Sequence, residues 1–226
     1  MNDTLGIIFD LDGVLIDTAD THLRSWRDMA AEEGLRIDNE MFMASFGRQN
    51  NDAIRMLFGD QLSAADISRI GERKEAIYRD MVRGRMPVID GAIDLVHACA
   101  AAGFRMAIGS STHPQNIDLA VEELKIGDYI LAAVSGHDVS RGKPDPQVFL
   151  MAAERIGLAP RQCAVIEDAP PGVQAALAGG MTAIGITTGH TAAALSSAHR
   201  IVNSMCDLNP TIVRELIENR SQRDLV

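Results

Sequence analysis

Short apolar runs alternate with amphipathic stretches along most of the 226-residue chain. A short apolar run bounded by turn residues is typical of a buried strand, and an amphipathic stretch between two such runs is typical of a crossover helix. The predicted strands are residues 5–9, 104–109, 130–134, 163–166, 182–186 and 201–202. Because strands and helices that alternate in this way form a sheet covered on both faces, the pattern predicts an α/β fold with a doubly wound parallel sheet.

Residues 19–86 interrupt this alternation, because only helices are predicted there. Their charged side chains are about twice as dense as in the rest of the chain. The predicted helices are 19–33, 51–58 and, after a capping box of Ser63 and Asp66, the stretch to about residue 83. We therefore expect an α/β core domain of residues 1–18 and 87–226, with a helical domain of residues 19–86 inserted after the first strand.

Composition and charge exclude several classes of protein. The chain is 46% apolar and 23% charged, as in globular proteins with a sizeable core. Its formal net charge of −10 repels nucleic-acid phosphates, so no nucleic-acid partner is expected. Its three cysteines have no metal-ligand spacing. With no bilayer-spanning run and no basic region of a signal peptide near Met1, we expect a cytoplasmic protein without a membrane partner.

Acidic residues follow two of the predicted strands. Asp10 and Asp12 come directly after the first strand, and Glu167 and Asp168 follow the fourth. Ligands of doubly wound sheets collect beyond the carboxyl ends of the strands, where these acids converge if the two strands are neighbours. Like charges about 4 Å apart repel by roughly 4 kcal/mol at an effective dielectric of about 20, so such a cluster favours a cation. The all-oxygen set is typical of Mg²⁺. Taken alone, Asp10 and Asp12 are also typical of a turn with polar ends, and Glu167 and Asp168 are also typical of acids that interact with the dipole at a helix start.

Hydroxyl groups follow the second predicted strand. Ser110, Ser111 and Thr112 come directly after Gly109 and lead into a helix that begins near Pro114. Hydroxyls and backbone N–H groups at the start of a helix bind anions well. We therefore predict that Ser110 and Ser111 form part of a phosphate-binding loop.

Lysine is rare in this chain, since only three of its 21 basic residues are lysines. Lys143 lies in the segment Arg-Gly-Lys-Pro-Asp-Pro, where Pro144 and Pro146 restrict the backbone. A compact ammonium group in such a segment can contact both a carboxylate and a phosphate. The alternative is a solvated lysine in a proline-rich turn.

Together these motifs resemble the four ordered motifs of the haloacid dehalogenase superfamily, and the helical insertion resembles its cap. The likeness is greatest to the β-phosphoglucomutase-like phosphatases and mutases. The resemblance implies that Asp10 is a nucleophile that forms an aspartyl-phosphate, and that Asp12 protonates the leaving group and then activates water. It implies that Ser110 and Lys143 hold the phosphoryl group. The implied Mg²⁺ ligands are Asp10, the backbone carbonyl of Asp12, Asp168 and, as a further candidate, Glu167.

The resemblance extends to several residues of the cap. Thr18 and His22 match residues that the mutases use beside the acid/base aspartate, and Lys74 matches a cap lysine of the mutases. Asn50 stands where the mutases have an arginine that binds the distal phosphate, and Arg48 lies two places away. His22 as an ordinary polar residue and Lys74 as part of a solvated charged face are the alternatives. His113 and His137 lie near the site loops and are assigned no role.

Three functions are open at this point: a phosphatase acting on a small phosphorylated metabolite, a mutase that transfers a phosphoryl group within its substrate, and a catalytically idle binding module. Intact Asp10, Asp12 and Lys143 argue against the idle module. A mutase has to hold a bisphosphorylated intermediate at both ends, and the residue for the second contact is changed at Asn50. We therefore expect an Mg²⁺-dependent phosphatase, with a sugar phosphate as substrate and a monomer as the oligomeric state.

Overall fold

The structure is a computed structural model that describes residues 4–45 and 50–223. Its six strands form one parallel sheet in the order β3-β2-β1-β4-β5-β6. The strands are β1 (Gly6–Phe9), β2 (Arg105–Gly109), β3 (Ile130–Val134), β4 (Cys163–Glu167), β5 (Thr182–Ile186) and β6 (Arg200–Val202). All six predicted strands are confirmed, each within one residue of its predicted ends.

Helices cover both faces of the sheet, as predicted for a doubly wound fold. Successive strand residues point to opposite faces, so Ile7 and Phe9 join one buried apolar cluster while Ile8 joins the other. Burial of each such side chain contributes roughly 1.5–3 kcal/mol, which makes the sheet a firm support for the loops at its edge. The core helices are α5 (Ala92–Ala101), α6 (Pro114–Leu124), α7 (Gln147–Arg155), α8 (Pro170–Ala178) and α9 (Pro210–Arg223).

The insertion after β1 is helical and has its own apolar cluster, which includes Trp26, Met29 and Ile54. The Ser63 hydroxyl accepts a hydrogen bond from Asp66 N at 3.1 Å and begins the last helix, as predicted. The helices are α1 (Ala19–Glu32), α2 (Asn39–Ser45), α3 (Asn50–Phe58) and α4 (Ala64–Val82). Sequence analysis missed α2, a seven-residue helix.

Two adjacent segments connect this insertion to the sheet. Asp17 N donates to Pro87 O at 2.8 Å, and Ile89 N donates to Leu15 O at 3.1 Å. The insertion is therefore attached at the carboxyl edge of the sheet, directly beyond β1. Among the described residues, no helix is long and apolar enough to cross a membrane.

Candidate active site

A cavity of about 380 Å³ lies between the carboxyl edge of the sheet and the helical insertion. Loops after β1, β2 and β4 form its floor, and helices α1, α3 and α4 contribute to its roof. The polar lining includes Asp10, Asp12, Ser110, Ser111, Lys143, Glu167 and Asp168 from the core, and His22, Asn50, Lys74 and Glu75 from the insertion.

Lys143 joins two carboxylates at the floor of the cavity. Since β1 and β4 are adjacent, Asp10 and Glu167 leave the sheet side by side. Lys143 Nζ donates to Asp10 Oδ1 at 2.7 Å and to Glu167 Oε1 at 2.6 Å. Burial lowers the pKa of Lys143, but the attraction of Asp10 and Glu167 outweighs it and holds the pKa above its usual value. Lys143 is therefore a buried cation, and the solvated-lysine alternative is wrong.

Asp168 adds a third carboxylate at the same point. Ligand oxygens of Asp10, Glu167 and Asp168 all lie within 4.8 Å of one another, and all three residues are buried. Burial raises the pKa of Asp10 to about 7, with Lys143 opposing the rise and Glu167 adding to it. Burial and the charges of Glu167 and Asp10 likewise raise the pKa of Asp168 well above its usual value. One lysine therefore does not balance the three carboxylates.

The three carboxylates differ in the donors that reach them. Glu167 has both oxygens engaged, because Ala169 N donates to Oε2 at 2.8 Å and Lys143 donates to Oε1. No hydrogen-bond donor in residues 4–45 and 50–223 reaches the Asp168 carboxylate. This buried set of carboxylates, in which Asp168 accepts no hydrogen bond from the described residues, fits a hard divalent cation such as Mg²⁺. The set lacks the Asp12 carboxylate, and the part predicted for the Asp12 carbonyl stays a prediction.

Asp12 faces the insertion instead of this cluster. Its Oδ1 accepts a hydrogen bond from Thr18 Oγ1 and lies 3.2 Å from His22 Nε2. Burial raises the pKa of Asp12, but the attraction and hydrogen bond of His22, together with the Thr18 hydrogen bond, lower it below the usual value. Two carboxylates separated by one residue therefore have opposite environments: Asp10 is crowded by acids, and Asp12 is held by donors.

The buried side chain of Lys74 fixes the His22 ring. Lys74 Nζ lies 2.8 Å from His22 Nδ1, and an ammonium group can only donate. Tyr78 stacks on the same ring with centroids 4.2 Å apart, and Trp26 lies 5.3 Å below the Lys74 ammonium. Since Lys74 is only 2% exposed, the solvated-face alternative is wrong for it.

Glu75 is a polar residue of the cavity that sequence analysis missed. It is 1% exposed, and its Oε1 accepts hydrogen bonds from Lys74 Nζ at 2.8 Å and Asn50 Nδ2 at 2.7 Å. Its Oε2 accepts from Asn116 Nδ2, on core helix α6, at 2.6 Å. Burial raises the pKa of Glu75, but the charges of Lys74 and His22 and the hydrogen bonds from Lys74 and Asn116 lower it to about 2. A signal was present, because Glu75 lies one helical turn beyond Gly71 on the buried face of α4.

The loop after β2 supplies hydroxyl groups to the cavity, as predicted. The buried Ser110 Oγ accepts a hydrogen bond from Thr112 N at 3.2 Å, and Ser111 and Thr112 also line the cavity. Helix α6 begins directly after this loop, so its N-terminal N–H groups lie near the same end of the cavity.

Two histidines near this loop have structural contacts. His113 caps α6, since its Nδ1 accepts a hydrogen bond from Gln115 N at 3.2 Å, and its Nε2 lies 3.3 Å from Glu72 Oε1. The ring of His137 packs edge-on against His113 with centroids 4.6 Å apart. Neither histidine is among the residues that line the cavity.

The loop after β5 closes the side of the cavity at Asp168 and was not predicted. A Cβ added at Gly13 or Gly189 would overlap with the Asp168 carboxylate, so backbone packs closely on both sides of it. His190 lines the cavity, and its Nδ1 lies 3.1 Å from Asp168 O. Arg48, which was predicted with Asn50 as a candidate for contact with the substrate, lies outside the described residues.

A known family matches most of the chain. The family model described as haloacid dehalogenase-like hydrolase matches residues 7–186, which run from the second residue of β1 to the end of β5 and include the whole insertion. The chain belongs to the haloacid dehalogenase-like hydrolases. The resemblance inferred from the motifs is therefore confirmed, and the chain is an enzyme.

Relatives of this hydrolase include both phosphatases and mutases. It is 32% identical over 184 residues to the fructose-1-phosphate phosphatase YqaB of Escherichia coli (strain K12), covering 80% of this chain and 95% of that protein. It is 28% identical over 227 residues to the β-phosphoglucomutase of Bacillus subtilis (strain 168), covering 97% and 98%. The crystal structure of β-phosphoglucomutase from Clostridium difficile shares its fold, with a TM-score of 0.89, 24% identity, and coverage of 98% of this chain and 100% of that one.

Proposed function

We propose that this hydrolase is an Mg²⁺-dependent phosphatase of a small phosphorylated metabolite, a sugar phosphate, and that it acts through an aspartyl-phosphate on Asp10. One observation carries the proposal: Asp10 and Asp12 enter the same cavity from one strand end with opposite partners. Lys143 holds Asp10, whereas Thr18 and His22 hold Asp12. The relative named as a fructose-1-phosphate phosphatase supports the same reaction class.

Asp10 is the proposed nucleophile. Its carboxylate attacks phosphorus, the bond between phosphorus and the ester oxygen breaks, and the sugar oxygen leaves with a proton. Lys143 fixes Asp10 Oδ1 and remains charged, so it keeps the carboxylate oriented and attracts the phosphoryl oxygens. Ser110 and Ser111 would bind those oxygens from the other side of the cavity.

Asp12 is the proposed acid and base. In the structure its lowered pKa keeps it ionised, the form that takes a proton from water during hydrolysis of the aspartyl-phosphate. A phosphoryl dianion beside it raises the pKa of such a carboxylate, which lets Asp12 carry the proton needed by the leaving oxygen. Thr18 and His22 would hold it in position for both steps.

The proposed metal ligands are Asp10 and Asp168, with the backbone carbonyl of Asp12. Glu167 would act mainly through Lys143 and Ala169 N, because both of its oxygens already have donors. When bound, Mg²⁺ supplies positive charge that offsets the carboxylates and the phosphate. Its effect on Asp10 would lower a pKa that now lies at about 7 and favour the ionised nucleophile.

The helical insertion is proposed to select the substrate. His22, Asn50 and Lys74 project from it into the cavity, opposite the proposed nucleophile. We infer that residues 19–86 act as a cap domain over a core of residues 1–18 and 87–226. Arg48 belongs to this proposal by its place in the sequence only.

A second candidate is intramolecular phosphoryl transfer, because the β-phosphoglucomutase relative matches almost the whole chain. A screen of sugar phosphates for phosphate release, with isomerisation of β-glucose 1-phosphate measured in parallel after priming by a bisphosphate, separates the two. We expect phosphate release to be the faster reaction. Isomerisation much faster than phosphate release would establish the mutase, and turnover of neither sugar phosphates nor generic esters would contradict both.

A further inference from the structure

The end of the cavity formed by His22, Asn50, Lys74 and Glu75 is called the cap end. It contains a buried ion pair of Lys74 and Glu75, and Glu75 has no role in the proposed reaction. Glu75 has three hydrogen-bond donors, namely Lys74, Asn50 and Asn116. Its side chain is 2% exposed and that of Lys74 is 3% exposed, so water screens neither charge well. Because the carboxylate lies 2.8 Å from the ammonium group, the positive charge of Lys74 is already balanced before any substrate enters.

The contact of Asn50 with Glu75 identifies the donor atom of its amide group. A carboxylate oxygen only accepts, so the atom of Asn50 that lies 2.7 Å from Glu75 Oε1 is the Nδ2 donor. The amide oxygen Oδ1 is then directed away from Glu75, and Asn50 lines the cavity. The cap end therefore offers acceptor oxygens from Asn50 and Glu75 and the remaining donor capacity of Lys74.

Such a surface suits a hydroxyl group better than a phosphate. A hydroxyl both donates and accepts, so it can bind to an amide oxygen and an ammonium group together. Phosphate monoester oxygens at neutral pH carry close to two negative charges and only accept. Beside the buried Glu75 carboxylate, a phosphate would face like charge without water to screen it.

We propose that Glu75 is a specificity-determining residue that excludes a second phosphate, so that this hydrolase selects sugar monophosphates whose distal end carries neutral hydroxyl groups. This inference rests on the proposed function, because it assigns the reacting phosphate to the Asp10 end of the cavity. Within the described residues, Lys74 is the one cation at the cap end, and Glu75 neutralises it.

The test is a binding measurement with two sugars that differ by one phosphate. Dissociation constants of glucose 6-phosphate and glucose 1,6-bisphosphate are measured by calorimetry with Mg²⁺ on the Asp10→Asn protein, which we expect not to turn them over. We expect the monophosphate to bind more tightly than the bisphosphate. Adding Glu75→Gln keeps the shape, removes the negative charge, and should shift the ratio of the two constants toward the bisphosphate by about tenfold or more.

Two further variants keep this test decisive. Glu72→Gln removes the same charge three residues away on α4, where the side chain is 55% exposed and faces His113, and it should leave the ratio unchanged. If Glu75→Gln does not fold, Asn50→Arg places a cation against Glu75 and should shift the ratio in the same direction. The inference is overturned if the Asp10→Asn protein binds the bisphosphate more tightly than the monophosphate. It is also overturned if the ratio of the two dissociation constants does not shift in a folded variant, or if neither sugar binds.

The binding result is separate from the proposed reaction. Absence of Asp10-dependent phosphate release by the wild-type protein contradicts the phosphatase whatever the dissociation constants are. An unchanged ratio in a protein that does release phosphate contradicts only the role of Glu75.

Discussion

The two ends of the cavity each contain a buried lysine, but their charges differ. At the core end, Lys143 is bound by Asp10 and Glu167, and Asp168 lies beside them. At the cap end, Lys74 is bound by Glu75 and by a histidine nitrogen. The core end therefore has an excess of carboxylates, whereas the cap end is balanced.

We propose that the core end carries out the chemistry and the cap end selects the substrate. An excess of carboxylates around a buried site favours a divalent cation, which in turn makes room for a phosphate dianion. A balanced ion pair has no net charge but still offers hydrogen-bonding groups, so it suits a neutral part of the substrate. The same kind of side chain, a buried lysine, thus contributes differently according to the number of carboxylates around it.

The largest expected effect comes from Asp10→Asn at the core end. The amide keeps the shape of the side chain but cannot attack phosphorus, so steady-state hydrolysis should fall by at least about 10⁴-fold. Circular dichroism should show the wild-type fold. Turnover near the wild-type rate would show that Asp10 is not the nucleophile.

Removal of the metal should abolish phosphate release almost as completely. Excess chelator is expected to reduce phosphate release to background, and added Mg²⁺ should restore it, because the carboxylates otherwise remain crowded. Zinc should restore it poorly, since the proposed site has no nitrogen or sulfur ligand. Full activity in excess chelator would contradict the metal requirement.

Asp12→Ala tests the residue that lies beside Asp10 in the core and contacts His22 of the insertion. Loss of proton transfer should reduce hydrolysis of a sugar phosphate by about 10²- to 10⁴-fold. p-Nitrophenyl phosphate should lose less, because its leaving group needs little protonation. Equal losses for the two esters would argue against Asp12 as the acid.

The smallest effect concerns the stability of the cap end. Glu75 has a pKa of about 2 in the folded protein against an ordinary value of 4.5, so its charge stabilises the fold above about pH 4.5. This contribution is lost as the pH falls toward 2. In urea unfolding, Glu75→Gln should cost about 2–3 kcal/mol at pH 6, and the difference from wild type should shrink below pH 4.5. A constant difference would show that the ion pair is not its source.

Most of the sheet could be predicted from local pattern, because each buried strand is a short apolar run between turn residues. The residues that meet at the core end could also be predicted, since Asp10 and Asp168 directly follow strands and Lys143 lies in a short proline-rich segment. Helix α2 was missed because it has only seven residues, although Asp38 caps it by accepting a hydrogen bond from Met41 N at 2.8 Å.

The cap end was harder to predict. In the run Glu-Arg-Lys-Glu, residues 72 to 75, four charges in succession resemble a solvated helix face. The structure buries Lys74 and Glu75 and leaves Glu72 and Arg73 largely exposed. The contact between Glu75 and Asn116 joins residues 41 positions apart on different elements, so no local pattern predicts it.

The two buried lysines provide the most direct test of this separation between chemistry and selection. Lys143→Met and Lys74→Met are compared in steady-state hydrolysis of p-nitrophenyl phosphate and of the preferred sugar phosphate from the screen. We predict that Lys143→Met loses activity on both esters by at least about 10²-fold, whereas Lys74→Met, which also removes a contact of His22, loses clearly more activity on the sugar phosphate than on p-nitrophenyl phosphate, through a raised KM or an altered ranking of sugar phosphates. Equal losses on both esters in the two variants would contradict the account.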